Sequence, residues 1–461
     1  MSSVPALSTR CRFGVATRDA TPPLHAYGRW WGAALTDQRK GVHRPLVASA
    51  AVFAPIEGDG DPLALVTVDQ CTYGSLDERT LRTAILERTG LPEANLMISP
   101  SHTHSSAHLS TALTDLPGGE LTKPFYDYLA QAMSDAIEEA QNWLAPAWVT
   151  WGTGKCTLAR NRDYWDEAAQ QFACGFNPAG PEDDTLLVGR VTYDDGAMGA
   201  VLFNYACHPT TLAWDNERYS PDYIGAAREV VTGIYGVPAL FMQGASGELG
   251  PRESYVGDTA IADRNGRQLG YAVASTLESL QPAGTEFVYQ GVRASGADLG
   301  IWADAPLPAD RVAGASELKA SKSIVTIGLA DMPSLAELEA SLAASEDRVM
   351  QERLRRFIGK RRSVGDGDTF DFPIWVWKVG DAVIVAIPGE PYSVLQTTLR
   401  ATFPDTPILV LGVTNGGVGY LPPKDVYGES TLYQVWQSPY AAGCLEAVTE
   451  AAEAQVRAIL A

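Results

Sequence analysis

A chain of 461 residues with 46% apolar composition has ample material for a large buried core. Its formal charge of -20, from 35 Lys and Arg against 55 Asp and Glu spread along the chain, speaks against nucleic-acid or anionic-membrane partners, since a negative surface repels phosphate. The stretch from Met1 to Ala20 lacks the apolar run of about 7 to 15 residues of a secretory signal, and no segment reaches the ~18 of a membrane span. The expected setting is therefore the cytoplasm.

In chain order, an apolar run at 63–69 reads as a buried strand, followed by a helix over 77–89 that Gly90 stops. A strand at 95–99 and an amphipathic helix at 125–144 come next. Strands at 185–192 and 200–205, a helix at 223–235, a strand at 239–242 and a helix at 261–280 repeat the alternation. The segment 300–318, rich in Ala, Pro and Asp, reads as a lid or a surface loop. Residues 334–362 carry the most charged helical pattern and read as one solvated surface helix, because the apolar repeat is too short for a coiled coil. Strands at 375–379, 382–387 and 408–413 and a closing helix at 441–459 complete the chain. With no internal repeat and no domain-separating linker, the pattern predicts one α/β domain over 1–461, with mixed sheets buried between helices.

Six histidines are present, and His102, His104 and His108 fall within one short segment, NLMISPSHTHSSAH, where an apolar strand enters a polar turn. Alternation along extended chain points His102 and His104 the same way, so one can bind a metal while the other faces substrate. His208 in VLFNYACHPTTL follows a second strand. PALFMQGASGELGP, AVIVAIPGEPYSVL and VLGVTNGGVGYLPP are three further strands entering Gly-containing turns, and they deliver Gly244, Ser246, Glu390 and Tyr420. Five strand ends carrying polar groups suggest one convergent site. The six cysteines form no C-x-x-C pair and read as reduced thiols. His43 reads as structural, and Tyr27, Trp30 and Trp31 as packing or as a pocket mouth.

These segments, together with FGVATRDATPP, GVHRPLVASAAVF, Asn161-Arg162 and SPDYIGAARE, resemble the catalytic N-terminal domain of the neutral/alkaline ceramidase family. The resemblance implies an αββα-type domain with one zinc ion held by His102, His208, Glu390 and Tyr420. It further implies that His104 lies beside the substrate, that Arg162 is the active-site arginine, and that Tyr433 bonds the reacting carbonyl once one inserted residue is allowed for. Two departures stand out. Gln243 is followed by Gly244 where the family has a serine, with Ser246 two positions on. No immunoglobulin-like C-terminal domain is expected after the catalytic one.

The reading that follows is a zinc-dependent hydrolase cleaving an amide, or less readily an ester, of a soluble small or medium substrate by metal-activated water. His104 would transfer protons, Arg162 and Tyr433 would stabilise the oxyanion or hold a substrate carboxylate, and Gly244, Ser246 and neighbouring backbone N–H groups would contact substrate. Asp69 and Asp222 are candidates to brace the metal-binding imidazoles. A metal-dependent lyase or isomerase and an inactive binding protein of the same fold are the alternatives. A small-molecule partner is expected, and homo-oligomerisation is left open.

Overall fold

The computed structural model describes residues 2–58 and 60–461. Its larger sheet has eight strands in the spatial order Ala239–Gln243, Met198–Tyr205, Thr185–Tyr193, Ala145–Lys155, Ser8–Asp19, Val47–Ala54, Leu63–Val68 and Leu96–Pro100. Pairing is antiparallel except at the two ends, where a parallel partner is reached through a helical crossover. Those crossovers contain α1 (Ser75–Thr89) and α3 (Tyr223–Tyr235). A second sheet of four strands runs Leu318–Gly328, Thr369–Val379, Ala382–Ala386, Ile408–Leu411.

The two sheets face each other. Phe13, Phe53, Leu65, Met97, Leu202 and Met242 of the first pack with Trp375, Trp377, Ile384 and Leu409 of the second in one buried cluster. Helices cover both outer faces. On the first sheet lie α1 and α2 (Thr122–Asn142) at one end, and α3 and α4 (Thr259–Glu278) at the other. In α2, Phe125, Leu129, Met133, Ala136 and Ala140 recur at helical spacing and are buried. The approach is close enough that a Cβ on Gly14 would lie 1.9 Å from the Ala140 carbonyl oxygen, so only glycine fits there. On the second sheet lie α8 (Val394–Thr402) and α10 (Cys444–Leu460). The layers are helix, sheet, sheet, helix, as the αββα expectation has it.

One loop ties the first sheet's two edges together. Asn415, at φ 59°, donates its N–H to the Ile98 carbonyl (2.9 Å) and accepts the Ile98 N–H on Oδ1 (2.8 Å). Gly412 N–H donates to the Gln243 carbonyl on the opposite edge strand (3.0 Å).

Two sequence readings need correction. Segment 300–318 is neither lid nor loop. Most of it belongs to strand Ala297–Pro306, which pairs with Thr285–Ser295 in an exposed hairpin, and to α5 (Ala309–Ala315). Exposure of both faces erased the two-residue periodicity that marks a half-buried strand. Segment 334–362 is not one helix but two, α6 (Leu335–Ala344) and α7 (Arg348–Val364). Separate caps start each: Ser334 and Glu337 form a reciprocal capping box, and Asp347 accepts from the Met350 N–H at 2.7 Å. Nor is α7 merely solvated, because Glu352 and Ile358 are buried. The remaining helix, α9 (Tyr433–Gln437), is one short turn. Among the described residues no helix is long and apolar enough to cross a membrane.

Candidate metal centre and pocket

His102 follows the edge strand Leu96–Pro100, and His208 follows Met198–Tyr205 near the opposite edge. Glu390 and Tyr420 come from two short segments, Glu390–Pro391 and Tyr420–Leu421, that pair in parallel beside the second sheet. The two imidazoles meet Nε2 to Nε2 at 3.0 Å, and Glu390 Oε2 lies 3.3 Å from His102 Nε2 and 3.7 Å from His208 Nε2.

The far nitrogens fix what these atoms carry. His102 Nδ1 faces the Cys71 carbonyl at 2.7 Å and His208 Nδ1 the Ser246 carbonyl at 3.2 Å. A carbonyl only accepts, so each Nδ1 carries the proton and each Nε2 presents a lone pair. Glu390 Oε2 is buried and has no hydrogen-bond partner among the described residues. Three lone-pair atoms thus converge with no donor between them, an arrangement that repels itself unless a cation lies at its centre. Burial opposes charge on His102, yet Cys71 and Glu390 draw its pKa up to about 10, so the seat beside Glu390 favours a positive charge, a proton on Nε2 wherever no metal ion is held. Burial pushes Glu390 upward, but His102, the Tyr420 hydroxyl and Lys360 hold it below the usual carboxylate range.

The separations suit a small tetrahedral ion, whose ligand nitrogens stand about 3.3 Å apart when each is ~2.05 Å from the metal. Two imidazoles and a carboxylate are the donor set expected of zinc-class ions. Tyr420 stands alongside: its ring stacks on His208 at 6.3 Å between centroids, and its hydroxyl accepts from Arg162 Nη2 at 3.2 Å. Strain marks the centre, because His102 has φ 67°, a conformation that costs a non-glycine residue about 1–3 kcal/mol.

Above the centre opens a pocket of about 340 Å³ lined by Trp31, His104, Arg162, Tyr255, Tyr420 and Tyr433, with α7 forming one wall through Val349, Glu352, Arg353 and Arg356. His104 Nδ1 donates to the His102 carbonyl at 3.0 Å, leaving Nε2 as the free acceptor. Burial and the neighbouring His102 push His104 well below the usual imidazole range, so it is neutral at pH 7. Burial raises the Tyr433 pKa, so its phenol stays protonated, and its oxygen accepts from Arg356 Nη1 at 3.1 Å.

The sequence model described as "Neutral/alkaline non-lysosomal ceramidase, N-terminal" matches residues 12–233. The match spans just under half of the chain, and over it the chain is similar to the neutral/alkaline ceramidase family. Two solved structures share the fold: "Ceramidase complexed with C2" (TM-score 0.70, 15% identity, covering 98% of this chain and 76% of that one). The other is neutral ceramidase from Pseudomonas aeruginosa (TM-score 0.70, 16% identity, 98% and 75%). No curated protein sequence matches the chain.

The departures from the ceramidase pattern have structural reasons. A Cβ on Gly244 would lie 2.9 Å from the Cα and Cβ of Ala206, so the family's serine has no room here without a backbone shift. Gly244 and Ser246 are not among the residues that line the pocket. Ser246 is 5% exposed, its hydroxyl takes a bond from Gln243 Nε2 (2.7 Å), and its carbonyl orients His208. Nor is this turn a ready oxyanion hole. The N–H groups of Gly244, Ala245 and Gly247 are already given to Tyr205 O, Gln396 Oε1 and Pro391 O.

The proposed bracing carboxylates are also elsewhere. Asp69 makes a bidentate pair with Arg228 (3.1 and 2.5 Å), and Asp222 caps α3 through the Tyr223 N–H. Backbone carbonyls orient the imidazoles instead. His43 bonds Ser220 and Asp263, and His108 stacks on Trp30 at 3.5 Å, so both are structural. Trp31, by contrast, lines the pocket, 5.4 Å from His104 between ring centroids.

Proposed function

We propose that this chain is a zinc-dependent hydrolase cleaving an amide bond, or less readily an ester, in a soluble small or medium substrate. The observation that carries the reading is the convergence of His102 Nε2, His208 Nε2 and Glu390 Oε2, three acceptors with no donor, at the base of an open pocket. With Tyr420 these residues would hold the ion, which when bound supplies Lewis acidity that polarises a carbonyl and acidifies water. The similarity of residues 12–233 to neutral/alkaline ceramidases supports amide hydrolysis as the reaction class.

The chain's own groups then divide the work. His104 Nε2, neutral and free, takes the proton from the attacking water and returns it to the leaving nitrogen. Tyr433 is oriented because Arg356 occupies a lone pair of its oxygen, so its O–H is free to donate to the scissile carbonyl. Arg162, anchored on the Gly247 carbonyl at 2.7 Å, places positive charge where the oxyanion develops.

Elemental analysis of the purified chain tests the reading. About one zinc per chain is expected, lost in His102→Ala, His208→Ala and Glu390→Ala, with amide hydrolysis abolished by chelation and restored by zinc. A wild-type chain that neither carries nor takes up metal would sink it.

A further inference from the structure

The wall of the pocket carries a charge that amide hydrolysis by itself does not call for. Helix α7 holds seven basic residues, Arg348, Arg353, Arg355, Arg356, Lys360, Arg361 and Arg362, against one acidic residue, Glu352, in a chain whose net charge is -20. Two of them, Arg353 and Arg356, line the pocket, and Arg162 stands below. Among the described residues, Glu352 is the one carboxylate on that lining.

Arg356 is paired with Glu352, but the other two guanidiniums are held without an ion pair among the described residues. Arg162 is 3% exposed, and its bonds go to the neutral oxygens of Gly247 and Tyr420; among the described residues no carboxylate pairs with it. A buried guanidinium without a counter-charge is unfavourable unless something else supplies one. Arg353 likewise has no ion pair among the described residues, and lies over the Trp436 ring at 5.0 Å. Stacking holds the plane and leaves its N–H edge for a ligand. Arg356 is oriented by Glu352 Oε1 (3.1 Å), the Tyr433 hydroxyl and the Trp30 carbonyl. On the same lining, Trp31 packs edge-on to Trp214 and Tyr255 at 6.2 and 5.7 Å, forming an aromatic cluster. A neutral two-chain lipid would desolvate these cations and return no opposite charge.

We propose, on the basis of the hydrolase reading above, that the substrate is an amide bearing a carboxylate, such as an N-acyl amino acid. Arg353 and Arg356 of α7 take the carboxylate, and the Trp31, Trp214 and Tyr255 surface takes the apolar acyl or aryl group. The planar guanidinium fork matches a carboxylate in charge and in geometry.

The test uses N-benzoylglycine and its neutral counterpart N-benzoylglycinamide, with binding by calorimetry and cleavage by product release measured separately. The full-length chain should bind the acid about tenfold more tightly than the amide. The preference should persist in His208→Ala, which removes a metal ligand, and fall to about one in the Arg353→Gln/Arg356→Gln double variant. Chelated wild-type chain replaces His208→Ala should that variant not fold. No preference in wild type, or a preference that vanishes with the metal yet survives in the double variant, overturns the proposal. If the acid is preferred in binding and neither compound is cleaved, nor any other amide, the hydrolase reading fails while the anion site stands. If both are bound and cleaved equally well, the anionic-substrate proposal fails and the hydrolase reading stands.

Discussion

At the scale of the residue, Gly244 shows how one missing side chain reorganises a site. Its backbone lies against Ala206, whose own chain leads directly to His208. Restoring a serine forces a Cβ to 2.9 Å from two Ala206 atoms, so either the Gln243 turn or the His208 loop must move. Overpacking of this kind costs typically about 1–3 kcal/mol. Gly244→Ser is expected to lower the unfolding free energy read from urea denaturation by that amount, and to weaken zinc retention as well, because the displaced loop carries a candidate ligand. An unchanged midpoint with full metal content would mean that the turn accommodates a serine. The convergence of His102, His208 and Glu390 was legible in the sequence, since each closely follows an apolar strand; Tyr420, further from its strand, was named through the family motif. What could not be read was which neighbours brace them. Asp69 stood at a strand end like a bracing group, but its partner Arg228 is 159 residues away, and nothing local reveals that pairing.

Among the elements, α7 departs furthest from its sequence pattern. Seven basic residues in one helix read as a solvated face, and the reading failed because Arg356 and Glu352 form an i,i+4 pair turned toward the pocket. Periodicity reports which residues are apolar; it is silent when a polar face is the buried one. Three central strands, Ser8–Asp19, Val47–Ala54 and Ala145–Lys155, also escaped the apolar-run criterion. Their buried positions are largely small or polar, including Ser8, Thr9, Ser49 and Thr150. Helix α7 is tethered by polar contacts as well as packing: Asp347 caps it, Arg348 bonds Ala34 O and Asp37, and Arg29 Nη2 donates to the Arg348 carbonyl (2.9 Å). Removing the cap with Asp347→Ala should cost about 0.5–2 kcal/mol of local helix stability. Hydrogen exchange in the first turns of α7 should then quicken by about 2 to 30-fold, with amides of the two sheets unchanged. Uniform acceleration across the chain would show instead that α7 opens only with global unfolding.

For the whole molecule, the candidate metal centre is a junction between the two sheets. His102 hangs from one edge strand of the eight-stranded sheet and His208 from the strand beside the opposite edge, while Glu390 follows Ala382–Ala386 of the four-stranded one. Their convergence to 3.0–3.7 Å requires those edges to approach and the sheets to keep their packing, which no sequence window encodes. The sequence could therefore name the ligands through family motifs while leaving the shape that assembles them to the fold. Without a cation, three electron-rich atoms press on each other where the sheets meet; with one, the repulsion becomes a bond between layers. An ion bound by the folded chain alone adds about 2.7 kcal/mol of stability at a free concentration one hundred times Kd. Chelation should accordingly lower the thermal midpoint of wild type by a few degrees, and added zinc should restore it. His208→Ala should melt near the chelated wild type and respond to neither treatment, because its missing ligand abolishes tight binding. If chelator and zinc shift His208→Ala as much as wild type, the stabilising ion sits elsewhere, and the junction between sheets is held by packing and by the Gly412–Asn415 loop alone.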